Sequence, residues 1–170
     1  AFREKNPDHI ALTYINCSTE VKALSDISVT SSSAETILGQ IPPEQKIIFG
    51  PDRHLGGYLS RKFGREMLLW PGVCIVHEAF SETELIKLMA QHPGAPVAGH
   101  PECPPHIIDH CDYVGSTSGI LQYAKTTASD VLIVATEPHI IHQMELAVPG
   151  KTFIGAPGAD GNCNCNICPY

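Results

Sequence analysis

The amino-acid sequence repeats itself once, with a displacement of 86 positions. Tyr14 and His100 stand that far apart (100 − 14 = 86), as do Asn16 and Glu102, Asp26 and Asp112, and Ser31 and Thr117. Residues 47–49 fall on 133–135 under the same shift. An ordered set of matches at one displacement points to duplication of a structural unit. Within each copy, short apolar runs alternate with segments of helical periodicity. Runs at 10–15, 27–30, 46–49 and 66–70 predict buried strands, and helices are expected over 18–25, 34–38 and 53–63. The second copy predicts helices over 81–91, 105–110, 118–125 and 139–147, with strands at 95–99, 113–114, 131–135 and 152–154. Ser18 and Ser81 are expected to be N-caps, and Glu84 holds the capping-box position behind Ser81. Alternation of this kind specifies parallel sheets. The expected fold is therefore α/β: repeated three-layer αβα units with short parallel sheets, pseudo-symmetric about a central site. The units are expected at 1–79 and 80–170, facing each other or forming part of a ring.

Each unit ends in a loop that carries cysteine. In the first it is 71–77, with Cys74 and His77, expected as a loop throughout. In the second it is the tail holding Cys163, Cys165 and Cys168. Position 74 displaced by 86 falls at 160, beside that tail. Close-set thiols are soft metal ligands or disulfide partners. The full count of seven is odd, and residues 1–6 lack the apolar core of a secretory leader. Reduced thiols in a cytoplasmic setting are the expectation. Cys17 and Cys103, paired by the repeat, read as small buried residues. A net charge of −7 without a Lys/Arg cluster excludes a nucleic-acid surface, and no apolar run is long enough to span a membrane. Spacing alone leaves two metals open: a closed four-thiolate zinc site, or an iron–sulfur cluster shared by the units. A thiol redox role for Cys165 and Cys168 lacks the strand-then-helix setting of that motif.

Ligands of parallel α/β units collect at the carboxyl ends of strands. Tyr14 and Asn16 leave the first strand of one unit, and His100 and Glu102 leave the first strand of the other. Ser31 and Thr117 stand where helices are expected to open, suited to carboxylate or phosphate or simply to capping. In 100–105 (His-Pro-Glu-Cys-Pro-Pro) the prolines restrict the backbone and hold an imidazole beside a carboxylate, a pairing fit for general acid/base work. His77 is expected near the metal without coordinating it.

Taken together, Tyr-Ile-Asn at 14–16, Val-Thr-Ser at 29–31, Gly-Pro-Asp-Arg-His-Leu-Gly-Gly-Tyr at 50–58, Cys-Ile-Val-His at 74–77, His-Pro-Glu at 100–102, Gly-Ser-Thr at 115–117, Ala-Thr-Glu at 135–137 and Cys-Pro-Tyr at 168–170 resemble quinolinate synthase. The resemblance runs in order along nearly the whole chain. It implies three similar α/β units around one oxygen-sensitive [4Fe-4S] cluster, with one cysteine from each unit and one iron left open. It implies condensation of iminoaspartate with dihydroxyacetone phosphate to quinolinate in de novo NAD synthesis, with L-aspartate oxidase as supplier of the first substrate. Cys74 and Cys168 are then metal ligands. Tyr14, Asn16, Ser31, His100, Glu102 and Thr117 line the substrate cavity, with Glu102 as base and His100 and Tyr14 carrying protons. Members of that family are nearly twice this long, so the chain is expected to be a fragment lacking the first unit and, alone, inactive. The competing class is a zinc-stabilised α/β binding module without catalysis.

Overall fold

The structure, a computed structural model, describes residues 2–159. The chain divides into two compact units, Ala1–Val73 and Cys74–Tyr170. The division thus falls six residues before the expected one (79 − 73 = 6) and assigns Cys74 and His77 to the second unit.

In the first unit, strands β1 (His9–Tyr14), β2 (Ile27–Val29), β3 (Lys46–Gly50) and β4 (Leu68–Leu69) form one parallel sheet in the order β2-β1-β3-β4. Alternate residues of β1 and β3, Leu12, Tyr14, Ile47 and Phe49, share one core with Val29, Met67 and two helices. Those helices are α2 (Ala34–Gln40), through Ala34 and Leu38, and α3 (Arg53–Phe63), through Leu55 and Leu59. Each Leu, Ile, Val, Phe or Met among them contributes about 1.5–3 kcal/mol by leaving water. Helix α1 (Thr19–Ala23) buries no residue and rests on its cap, in which Ser18 Oγ accepts from the Val21 amide at 3.4 Å. Helix α3 runs through Gly56-Gly57 for a packing reason. A β-carbon at Gly56 would lie 2.6 Å from Leu69 and 2.8 Å from Phe49, so the missing side chain lets the helix approach the sheet. Asp52 caps its start by accepting from the Leu55 amide at 2.7 Å, and Gly64 ends it at φ 58°.

The second unit repeats this order. Strands β5 (Val97–Gly99), β6 (Tyr113–Val114), β7 (Val131–Ala135) and β8 (Thr152–Gly155) pair in parallel as β6-β5-β7-β8. Two cores lie on opposite faces of this sheet, giving three layers. Helices α5 (Glu82–Gln91) and α6 (Pro105–Ile108) pack with Val97, Ile133 and Ala135. Helices α7 (Thr117–Thr126) and α8 (His139–Ala147) pack with Ala98, Leu132, Val134 and Phe153. Ser81 caps α5, accepting from the Glu84 amide at 3.4 Å, as the sequence predicts.

The duplication reaches individual hydrogen bonds. Asp26 accepts from the Ala11 amide at 2.8 Å and returns its own amide to the Ala11 carbonyl at 3.0 Å. Eighty-six positions later, Asp112 does the same with Val97, at 2.8 Å in both directions. Register corrects one sequence alignment, however. Leu12 pairs with Phe49 and Ala98 with Val134, so β3 maps onto β7 with a shift of 85 (134 − 49). Residues 47–49 therefore correspond to 132–134 and not to 133–135. The connection between these strands is one residue shorter in the second unit, and a one-residue slip would turn every β7 side chain to the wrong face. The shift returns to 86 at the last strand, where Leu68 pairs with Ile48 and Ile154 with Ile133.

Asp26 gives a pH-dependent prediction. Its carboxyl is held below the usual carboxylate range, first by the Ala11 amide and also by Arg3. A depressed folded-state pKa stabilises above the unfolded value and is lost as pH falls through the folded one. Acid titration of stability should therefore be shallower in Asp26→Asn than in the parent, read by circular dichroism. Identical profiles would remove Asp26 from this role.

Candidate active site

The second unit brings four chemically active side chains together. A helical turn, α4 (Ile75–Glu78), occupies part of what the sequence suggested was loop. It forms because the Glu78 amide donates to the Cys74 carbonyl at 2.9 Å and because Val76 and His77 are buried anchors. Cys74 precedes the turn and His77 lies within it, three residues on. That spacing puts both on one side of the turn.

His100 follows β5 directly, and its amide continues the sheet by donating to the Ala135 carbonyl at 3.0 Å. The backbone then folds back, with the Cys103 amide donating to the His100 carbonyl at 2.9 Å. This turn carries Glu102 inward, so that His77, His100 and Glu102 are 4%, 2% and 3% exposed. A buried carboxylate needs strong partners, and imidazole provides one: His100 Nδ1 is 3.1 Å from Glu102 Oε2. The Glu102 amide also approaches that nitrogen, at 3.4 Å. The shorter contact sets the pairing of imidazole and carboxylate. His77 stacks on His100 with ring centres 5.0 Å apart and 23° between planes. Its Nδ1 is 3.9 Å from Glu102 Oε2, while Nε2 meets Thr136 Oγ1 at 3.3 Å. The Cys74 sulfur, a ring nitrogen of His77 and a Glu102 oxygen all lie within 4.8 Å of one another.

Four cysteines fall among the described residues, and three have chemistry unsuited to a ligand. Cys103 is 1% exposed and donates to the Ala135 carbonyl at 3.2 Å, and burial pushes its thiol well above the usual range. Burial raises Cys111 to about 12, with help from Asp112 and Asp109. Cys17 is raised by burial too, although it is half-buried and not enclosed as the repeat suggested. Cys74 differs from these three in standing within 4.8 Å of an imidazole nitrogen and a carboxylate oxygen, donors that can share an ion with its sulfur. It fits one corner of an iron–sulfur cluster as well as it fits a single ion. Cys163, Cys165 and Cys168 lie outside the described residues.

The other residues singled out from sequence occupy strand ends. Tyr14 ends β1 and is 5% exposed; Asn16 follows it and is exposed. Ser31 lies in the turn after β2, three residues ahead of α2, so it does not open that helix as expected. Thr30 and Ser33 hold that turn, joined between hydroxyls at 3.0 Å. Thr117 is the first residue of α7 and exposed, while the cap is Ser116, accepting from the Gly119 amide at 3.2 Å. Thr136 was not chosen from sequence as a site residue. Its signal was its place directly after β7, at the carboxyl edge that already holds His100.

A family model described as "NadA: Quinolinate synthetase A protein" matches residues 1–170. A protein of Synechocystis sp. named "Quinolinate synthase" is 53% identical over 169 residues, covering 99% of this chain and 53% of its own length. Proteins of the same name from Thermosynechococcus vestitus and Prochlorococcus marinus are 52% and 50% identical over 170 residues, at 53% and 51% of their lengths. The chain spans about half the length of the curated relatives it matches. With every described and undescribed residue inside that match, the chain belongs to the quinolinate synthetase A protein family.

Proposed function

We propose that this chain supplies two units of a quinolinate synthase, which condenses iminoaspartate with dihydroxyacetone phosphate to quinolinate in de novo NAD synthesis. The observation that carries the reading is the buried Glu102 carboxylate 3.1 Å from His100 Nδ1, in a chain matched by the family along its whole length. Glu102 is assigned as the base that removes a carbon-bound or nitrogen-bound proton during ring closure and tautomerisation. His100, through Nδ1, receives that proton or returns it, and Tyr14 is assigned a second transfer. Burial keeps bulk water from competing for the proton. Ser31 and Thr117 are assigned to the phosphate and carboxylates of the substrates, and Asn16 to their polar groups. The amide-rich start of α7 favours negative charge beside Thr117.

Cys74 and Cys168 would hold a [4Fe-4S] cluster with a third cysteine. When bound, the cluster supplies a Lewis-acidic iron that eases loss of water from the condensing substrates. The same reading assigns the protein to the cytoplasm, with L-aspartate oxidase proposed as supplier of iminoaspartate. Among the described residues no helix is long and apolar enough to cross a membrane.

The test is anaerobic reconstitution with iron and sulfide of the chain extended to the length of its relatives. Iminoaspartate and dihydroxyacetone phosphate are then added and quinolinate is measured. Quinolinate is the expected product. A cluster-loaded preparation that forms none would overturn the assignment.

A further inference from the structure

We infer that Cys74, His77 and Glu102 form a single-ion site for a thiophilic divalent cation of the zinc type, which the chain fills when no cluster is bound. This goes beyond the proposed reaction and does not rest on it. The three donors already lie within 4.8 Å of one another, and two of them are more than nine-tenths buried. Bonds of about 2.0–2.3 Å in a tetrahedral site set donors roughly 3.3–3.8 Å apart. His77 Nδ1 and Glu102 Oε2, at 3.9 Å, need to close by roughly 0.5 Å, and the sulfur needs to move inward by roughly 1.3 Å at most.

The surrounding contacts are those that orient metal ligands. A ligating imidazole usually commits its second nitrogen to a hydrogen-bond partner, which fixes the ring and directs the first at the ion. Thr136 Oγ1 plays this part for His77 Nε2 at 3.3 Å. The ligating carboxylate is steadied in the same way by His100 Nδ1 at 3.1 Å. One thiolate, one imidazole and one carboxylate suit zinc or cobalt and disfavour magnesium or calcium, which prefer oxygen. Three protein donors leave a fourth position for water. An ion there engages the Cys74 sulfur, so zinc and cluster compete for that thiolate.

Cobalt(II) is the probe. The 170-residue chain is reduced, freed of metal and titrated, with Cys163, Cys165 and Cys168 replaced by serine to remove the tail thiols. One equivalent should bind and produce a near-ultraviolet thiolate-to-cobalt band, which zinc then bleaches. Cys74→Ser should abolish the band, and His77→Gln and Glu102→Gln should each weaken affinity more than about tenfold. Thr136→Val should weaken it about 10- to 100-fold, with Thr136→Ser restoring it. If His77→Gln loses its circular dichroism signal, Glu102→Gln, which keeps the side-chain volume, decides. No saturable band in the folded tail-substituted chain, or affinity unchanged in Glu102→Gln, would overturn the site. Neither result depends on cluster loading or quinolinate formation, so this failure is distinct from failure of the proposed reaction.

Discussion

Glu102→Gln in the full-length enzyme should lower turnover by about 10²- to 10⁴-fold, the range expected when a positioned proton-transfer group is lost. The substitution keeps size and shape. It also keeps a carbonyl oxygen that can accept from His100 Nδ1, now 3.1 Å from Glu102 Oε2. Because the residue is 3% exposed, water cannot enter easily to replace the missing base. The Cys103 amide bond to His100 and the Cys103 thiol bond to Ala135 hold this turn independently of the carboxylate. Folding and iron content should therefore remain at parent levels while kcat falls. Steady-state quinolinate formation beside an iron assay reads both. Turnover within about threefold of the parent would remove Glu102 as the base, because an effect that small is far below the proton-transfer range.

Cys74→Ser should reduce cluster iron to background in the same full-length context. Serine preserves the small polar side chain before α4 but exchanges a soft sulfur for a hard oxygen, which iron–sulfur clusters bind poorly. Cys103→Ala is the contrast. Its thiol is enclosed, bonded to a carbonyl and pushed well above the usual pKa, so iron content should be unchanged. Normal iron in the Cys74 variant would take that residue out of the ligand set.

The repeat made the fold legible, because a duplicated strand order needs only hydrophobic runs and caps at matching positions. Ser18 and Ser81 are readable on their own, as hydroxyls standing ahead of helical periodicity. Displacement counting could not register the shorter connection before β7, since apolar residues stand at both 132 and 133 and either would satisfy a buried strand. At the site, the prolines of 100–105 announced a fixed imidazole–carboxylate pair, and His100 and Glu102 are indeed adjacent. Ser31 is one of three consecutive serines, any of which could cap, and the chain starts its helix after Ser33. The Cys74–His77 spacing looked like loop because a four-residue turn has too few positions to show periodicity. Thr136 stands in the sequence motif Ala-Thr-Glu at 135–137 without a role of its own, and only the folded chain brings it to His77 across 59 positions (136 − 77).

Cys74 is assigned to an iron–sulfur centre serving the buried Glu102–His100 pair, and the metal content of the purified protein decides that assignment. Full-length protein purified without oxygen from iron-replete cells should be brown, with iron and acid-labile sulfide in equal amounts and little zinc. Colourless protein holding one zinc per chain, and resisting reconstitution with iron and sulfide, would contradict the account.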